Sequence, residues 1–166
     1  DYVIGSAHLV DGVDPYYRDQ LPITDEEMYG HYFDFVLACL EKTDGYQSLG
    51  HLDYVVRYGP EQNLHYSYEA YAEILDEILK KLIWLGKGLE LNTAGFRYGT
   101  KTQPHPTEGI LRRYRELGGE IVTTGADAHE PQYVGFSFDR AAAILKECGF
   151  KFYAVFRSRD PEFVSL

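Results

Sequence analysis

The hydrophobic positions along the chain change period several times, and each change marks a predicted element. The run "DYVIGSAHL" is β-branched and apolar, which predicts a strand over roughly residues 2 to 8. The next segment, "ITDEEMYGHYFDFVLACLEK", places apolar residues at helical spacing after Thr24 and Glu27, the capping-box pattern of a helix start. A second helix is predicted by "SYEAYAEILDEILKKLIWLG", whose apolar stripe ends at Gly86 and Gly88.

The remaining segments continue an alternation of strands and helices. Strands are predicted in "SLGHLDYVVRYG", "GLELNTAG", "EIVTTGADAH" and "FKFYAVFR", and helices in "PTEGILRRYRELGG" and "DRAAAILKECG". The predicted order is β-α-β-α-β-α-β-α-β with no two strands adjacent. We therefore expect a single α/β domain over residues 1–166, built as a parallel sheet or barrel covered by helices.

Composition and charge narrow the class of partner. The 166 residues are 45% hydrophobic and 25% charged, which is enough apolar material for one folded core. The formal net charge of −10 argues against nucleic acid or an anionic membrane surface as the main partner, because both favour a basic face. The sequence has no apolar run of about 18 residues, so we expect no membrane span. Cys39 and Cys148 lie in apolar helical runs, which predicts buried thiols, no disulfide and a cytoplasmic location.

Histidine and acidic residues fall where the predicted strands end or just beyond them. His8 closes the first predicted strand, His51 and Asp53 lie in the second, Glu90 and Asn92 end the third, and Asp127 and His129 follow the fourth. Ligands bind at the carboxyl ends of the strands in parallel α/β folds, so we expect these side chains to share one site. Asp127 and His129 are two residues apart and would face one point in extended chain, although an Asp that caps a polar turn is the alternative. A mixture of imidazole and carboxylate suits Zn, Mn or Fe better than Mg.

Two arginines and one further histidine indicate the class of substrate. Arg57 and Arg97 each follow a strand-end polar group by a few residues, and a planar guanidinium recognises phosphate bidentately. Above a metal site they favour a phosphate ester, and surface salt bridges are the alternative. His105 lies in a loop after the third strand and is a third candidate phosphate-binding residue, the alternative being a solvated loop position.

The motifs "GSAH", "GHLDYVVRYG", "ELNTAG" and "GADAH", in this order, resemble the polymerase-and-histidinol-phosphatase (PHP) family of metal-dependent phosphoesterases. Within that family the chain looks most like the histidinol-phosphatase branch. The resemblance implies a distorted barrel of seven β/α units whose strand ends hold up to three divalent metal ions. By this match His8 and His51 correspond to ligands of one metal, Asp127 to a ligand of a second and His129 to a ligand of a third. Glu90 has only a supporting place beside them.

The same resemblance predicts that the domain is incomplete at its N-terminus. The family's early motifs are an H-x-H pair, a later His beside an acid, and a bridging Glu, and none of them occurs in this sequence. The chain matches the last four of the seven units. We therefore expect an open sheet edge near residues 2 to 8, through which two copies would pair as a homodimer.

The activity implied by the resemblance is hydrolysis of a small phosphate monoester, above all L-histidinol phosphate of histidine biosynthesis. Asp127 and His129 are the candidate catalytic residues, and Arg57, Arg97 and His105 are the candidate phosphate ligands. One alternative is a nucleotide or nucleic-acid phosphoesterase of the same family. Another is a non-catalytic fragment or subunit that keeps the fold. Since metal ligands are missing, we expect little activity from the 166-residue chain alone.

Overall fold

The part of the chain that the structure describes contains a sheet of four parallel strands and four α-helices. The computed structural model describes residues 1–59, 66–98 and 102–166. The sheet consists of β1 (Ile4–Gly5), β2 (Ser48–Leu49), β3 (Gly88–Asn92) and β4 (Val122–Gly125). The helices are α1 (Asp25–Lys42), α2 (Ala72–Trp84), α3 (Glu108–Glu116) and α4 (Phe138–Glu147).

The sheet strands lie side by side in chain order, β1-β2-β3-β4, and every neighbouring pair is parallel. Gly5 pairs with Leu49, Leu49 with Leu89, and Leu89 with Val122. This register places the segments that follow all four strands along one edge. The parallel α/β prediction is confirmed, while the seven-unit barrel and the homodimer stay predictions. Strand β1 is an outer strand of the described sheet and is shorter than the sequence predicted.

The helices begin where their caps predict and bury one face against the sheet. The Thr24 side chain accepts the Glu27 N–H, and the Glu27 carboxylate accepts the Thr24 N–H, so the predicted capping box is confirmed. Of the stripe predicted at Tyr71, Ile74, Leu75, Ile78 and Leu82, the structure buries Leu75, Ile78 and Leu82 together with Leu79, while Tyr71 and Ile74 are partly buried. Both cysteines are free thiols, as predicted, with Cys148 buried and Cys39 partly buried. None of the helices in the described ranges is long and apolar enough to cross a membrane.

The C-terminal segment departs from the predicted alternation. Strand β5 (Phe152–Arg157) pairs with β6 (Asp160–Ser165) as an antiparallel hairpin, separate from the parallel sheet. The expectation that no two strands are adjacent is therefore wrong. The turn between them consists of Ser158 and Arg159, which have φ of +50° and +73°. Two-residue hairpin turns of this conformation normally carry Asn or Gly, so Ser158 and Arg159 are not recognisable as a turn from sequence.

Candidate active site

A cleft of about 490 Å³ opens where the segments following the four parallel strands meet. The predicted site residues His8, His51, Arg57, Glu90, Asp127 and His129 line it. His8 follows β1, His51 and Arg57 follow β2, Glu90 lies in β3, and Asp127 and His129 follow β4. The parallel register of the sheet brings these segments to one edge. The structure therefore brings the predicted metal ligands and one of the two predicted phosphate-binding arginines to one place.

His8 and His51 form an imidazole pair at the cleft wall. Their ring centroids are 5.2 Å apart, and the Tyr54 ring packs against both at 5.1 and 4.9 Å. Burial lowers the pKa of His51 to about 4 and also lowers the pKa of His8, so both rings are neutral at pH 7. The Nδ1 atom of His51 is buried without a hydrogen-bond partner among the described residues. Neutral imidazoles with an unused nitrogen are suited to metal coordination.

The backbone at His51 differs from the sequence prediction, which placed this residue within the second strand. Strand β2 ends at Leu49, His51 has a φ of +22°, and Tyr54–Tyr58 form a 3-10 helix. Gly50 directly follows the strand and lies in close contact with the neighbouring strand, since a Cβ there would be 2.8 Å from Cγ2 of Ile4. The turn rotates the His51 side chain into the cleft.

Asp127 and His129 form a second pair across the cleft. The Oδ1 atom of Asp127 is 3.3 Å from Nε2 of His129, and their side chains are 32% and 83% exposed. The predicted convergence is correct, but its expected geometry is wrong, because Asp127 has a φ of +45° and lies in a turn rather than in extended chain. The Asp127 carboxylate also opposes the lowering of the pKa of His8 and His51, which places its charge within reach of the first pair.

The Glu90 side chain links strand β3 to the segment that follows β2. Its side chain is only 3% exposed, and its Oε2 accepts both the His51 N–H and the Asn92 side-chain amide at 3.0 Å. Burial raises the pKa of the Glu90 carboxyl, although these two hydrogen bonds oppose the shift. Sequence reasoning gave Glu90 only a supporting place. The signal for a larger role was its spacing of two residues from Asn92 at the end of a strand, which puts both side chains on the cleft side.

The structure does not bring His105 to the cleft wall. Its ring is 3% exposed, and its Nδ1 lies 2.8 Å from Oδ1 of Asp53, whose other oxygen accepts the Tyr66 hydroxyl and the Thr107 N–H. The backbone of His105 pairs with that of Asn92, a cleft-lining residue. The solvated-loop alternative is wrong, because this buried pair ties the segment after β3 to the segment after β2. Its Nε2 is buried without a partner among the described residues.

Arg57 is held at the cleft wall by tyrosines. Its guanidinium carbon lies 4.8, 4.7 and 5.6 Å from the ring centroids of Tyr54, Tyr58 and Tyr98, and its Nη2 donates to the Tyr58 hydroxyl at 2.5 Å. Stacking of this kind fixes the orientation of a guanidinium. The position suits the predicted recognition of an anion.

Arg97 instead braces the turn that carries Asp127. Its Nη2 donates to the backbone carbonyls of Ala126 at 2.7 Å and Asp127 at 3.1 Å, and its guanidinium carbon lies 4.1 Å from the Tyr133 ring centroid. Arg97 is not among the residues that line the cleft. These contacts show a structural role that the sequence did not reveal, because they run to main-chain atoms 29 and 30 positions away.

Comparison with known proteins places the chain in a family. Residues 1–94 match the family model described as the PHP domain. The chain belongs to the PHP domain family. In this PHP chain, the matched stretch includes the His8 and His51 pair and ends just beyond β3. The family model therefore covers the parts of the cleft that β1, β2 and β3 supply.

Curated relatives and a solved structure extend the PHP comparison to the rest of the chain. A probable histidinol-phosphatase of Clostridium acetobutylicum is 34% identical over 152 residues, which cover 91% of this chain and 59% of that protein. The histidinol-phosphatase of Lactococcus lactis is 34% identical over 158 residues, which cover 94% and 58%. The crystal structure of histidinol phosphate phosphatase from Lactococcus lactis, complexed with zinc, L-histidinol and phosphate, superposes with a TM-score of 0.84 at 32% identity over 98% of this chain. The chain spans 62% of that structure.

The PHP site fits a divalent metal in the kind of donors it presents but not in their number. Neutral imidazoles at His8 and His51, the unused nitrogen of His51 and the carboxylate of Asp127 are donors that Zn, Mn and Fe accept. Among the residues that the structure describes, no group of three or more His, Cys, Asp or Glu side chains is arranged to hold a metal ion. Metal binding at this cleft therefore calls for ligands beyond the described set.

Proposed function

We propose that this chain contributes to the active site of a metal-dependent phosphomonoesterase that hydrolyses L-histidinol phosphate. The observation that carries the proposal is one cleft that joins two imidazoles, an Asp–His pair and a stacked arginine at the ends of parallel strands. Relatives named histidinol-phosphatase and a similar structure holding zinc, L-histidinol and phosphate support this reaction over others. Because the chain spans less than two thirds of those proteins, the activity is proposed for the protein of their length.

The proposed metal ligands are His8 and His51 for one divalent ion, Asp127 for a second and His129 for a third. Zn, Mn or Fe suits these donors. Such an ion, when bound, acidifies water and neutralises the charge of phosphoryl oxygens. The chain's own contribution is to present both histidines in neutral form, since burial lowers the pKa of each.

Arg57 is the proposed phosphate ligand of this chain. Among the cleft-lining residues in the described ranges, Arg57 is the only arginine or lysine. Its tyrosine stack holds the planar fork in place, so a phosphate oxygen pair would meet an oriented donor. Arg97 and His105 remain predicted phosphate ligands, but their contacts to backbone carbonyls and to Asp53 support roles in positioning the cleft instead.

The Asp127 and His129 pair supplies a route for the proton that the leaving alkoxide requires. The Asp127 carboxylate lies 3.3 Å from Nε2 of His129, and the largely exposed imidazole can exchange protons with solvent at the cleft mouth. As the alternative to coordinating a metal, His129 would donate this proton, with Asp127 orienting the ring. The free thiols of Cys39 and Cys148 favour a reducing compartment such as the cytoplasm for this enzyme.

The test compares the chain alone with the chain extended to the length of its Lactococcus lactis relative. Phosphate release is measured from L-histidinol phosphate and from a nucleotide panel with Zn, Mn or Fe present. We expect turnover of L-histidinol phosphate by the extended protein, negligible turnover by the chain alone, and loss of turnover in His51→Ala and Arg57→Ala. Lys42→Ala is the control, because it is exposed at the end of α1. Faster turnover of nucleotides would favour the alternative substrate class, and inactivity with every metal would favour a non-catalytic protein.

A further inference from the structure

Glu90 occupies the middle of the cleft floor and contacts segments on both sides of its own strand. Strand β3 lies between β2 and β4, and the Glu90 carboxylate accepts the N–H of His51, the residue just beyond β2. The same oxygen accepts the side-chain amide of Asn92, whose own oxygen accepts the Ala94 N–H at 2.9 Å. Asn92 of β3 thereby holds the Glu90 carboxylate in place. The carboxylate in turn holds the backbone of the segment that follows β2.

Two glycines leave the room that the Glu90 carboxylate needs. A Cβ at Gly125 would overlap Oε1 of Glu90, and a Cβ at Gly50 would lie 3.4 Å from Oε2. Gly50 directly precedes His51, and Gly125 is two residues before Asp127. One buried carboxylate is therefore packed between the two segments that carry the proposed metal ligands.

The His51 backbone requires such a restraint. Its φ of +22° is in the left-handed range, which residues with a Cβ rarely adopt and which persists only where surrounding contacts enforce it. The hydrogen bond from its N–H to Glu90 is buried and charge-assisted, a stronger bond than one between neutral groups. It acts on the residue whose ring is turned into the cleft.

We infer that Glu90 is a positioning residue for the proposed metal site. It holds the His51 backbone and sets the distance between the segment that follows β2 and the segment that follows β4. Outer contacts of this kind typically change metal affinity about 10- to 100-fold when removed. The metal part of the inference rests on the proposed function. The restraint on His51 does not, because it is a property of the chain without metal.

The experiment uses four variants and two measurements, the first on the 166-residue chain and the second on the protein extended to the length of its Lactococcus lactis relative. Glu90→Ala removes the carboxylate, and Glu90→Gln keeps an oxygen that can accept the His51 N–H. Gly125→Ala displaces the carboxylate without changing it, and Glu77→Ala is the control on the exposed face of α2. Amide hydrogen exchange at His51 is followed by NMR without metal, and zinc affinity is measured by calorimetry.

We expect Glu90→Ala to speed His51 exchange by roughly 10- to 150-fold, the effect of losing one charge-assisted hydrogen bond. Gly125→Ala should act in the same direction, Glu90→Gln should stay closer to the wild type, and Glu77→Ala should match it. Zinc affinity should fall about 10- to 100-fold in Glu90→Ala and recover in Glu90→Gln. If Glu90→Ala does not fold, the Gln and Gly125 variants decide by the same measurements.

Unchanged His51 exchange in Glu90→Ala and Gly125→Ala would overturn the positioning role. Equal losses of zinc affinity in Glu90→Ala and Glu90→Gln with unchanged exchange would also overturn it, because the negative charge alone would then be responsible. An extended wild-type protein that binds no zinc would count against the proposed metal site, while the exchange measurements would still decide whether Glu90 restrains His51.

Discussion

Replacing Arg97 by alanine separates the role that the sequence predicts from the role that the structure shows. The sequence predicts a phosphate ligand, so Arg97→Ala should weaken phosphate binding and leave the fold intact. In the structure the guanidinium donates to the carbonyls of Ala126 and Asp127 and stacks on Tyr133. Its removal leaves both carbonyls without that donor and releases a turn in which Asp127 has a positive φ.

The magnitude follows from those contacts. A hydrogen bond from a charged donor contributes about 2 kcal/mol, and guanidinium stacking at a partly buried site adds about 1 kcal/mol. A loss of about 3 kcal/mol should lower the melting temperature by roughly 6 to 12 °C in a domain of this size. Thermal unfolding followed by circular dichroism measures it. Arg157→Ala is the charge-matched control, because that side chain is 74% exposed and pairs only with Glu162 among the described residues.

Phosphate affinity, measured by calorimetry on the zinc-loaded protein, completes the comparison. If Arg97 supports the turn that carries Asp127, Arg97→Lys should be nearly as unstable as Arg97→Ala. A lysine ammonium cannot bond two carbonyls and stack on a ring as a planar guanidinium does. An Arg97→Ala variant that melts with the wild type but binds phosphate more than about tenfold more weakly would refute this reasoning. Arg97 would then be the phosphate ligand that the sequence predicted.

Three further predictions concern charge at and around the cleft. Arg57→Ala should weaken phosphate binding by roughly 10- to 150-fold in calorimetry; unchanged phosphate affinity would contradict an anion-binding role. The affinity of the His8 and His51 site for zinc should change little between pH 7 and 5.5, because burial lowers the pKa of His51 to about 4 and lowers that of His8. Each imidazole with an ordinary pKa would reduce zinc affinity about tenfold over this range. A tenfold loss of affinity in zinc titrations would exclude these rings as the ligands. Arg113 holds the pKa of Asp76 well below its usual value, so this pair stabilises the fold above about pH 4 and progressively less below it; the urea midpoint of Asp76→Asn should lie below that of the wild type at pH 7 and approach it at pH 2, and an equal gap at both pH values would argue against the pair.

The sequence predicted the helices and the location of the site because both depend on local signals. The capping box at Thr24 and the apolar stripe of α2 each lie within one helix, and helical spacing reveals them directly. The strand-end positions of His8 and Asp127 needed only the rule that parallel strands end at one edge. The strand lengths were less predictable, because they depend on pairing with neighbouring strands, and β1 and β2 pair over two residues each.

The sequence did not predict which polar residues face the cleft and which support it. His105 and Arg97 looked like ligands because both follow the third strand, but their partners, Asp53 and the Ala126 carbonyl, are distant in sequence. Such pairings depend on tertiary contacts, which single-sequence patterns do not contain. Glu90 was undervalued for the same reason, since its main contact is the backbone N–H of a residue on another strand.

The packing of Glu90 against Gly125 also restricts how sequences with this site can diverge. A side chain at position 125 and a full-length carboxylate at position 90 require the same volume, so neither position is free to change while the other stays as it is. A lineage that loses the glycine must first shorten or reorient residue 90, and by then the His51 turn must have another restraint. Substitutions at positions 50, 90 and 125 should therefore be epistatic. The effect of a double substitution should differ from the sum of the two single effects, and the order in which the changes occur should matter.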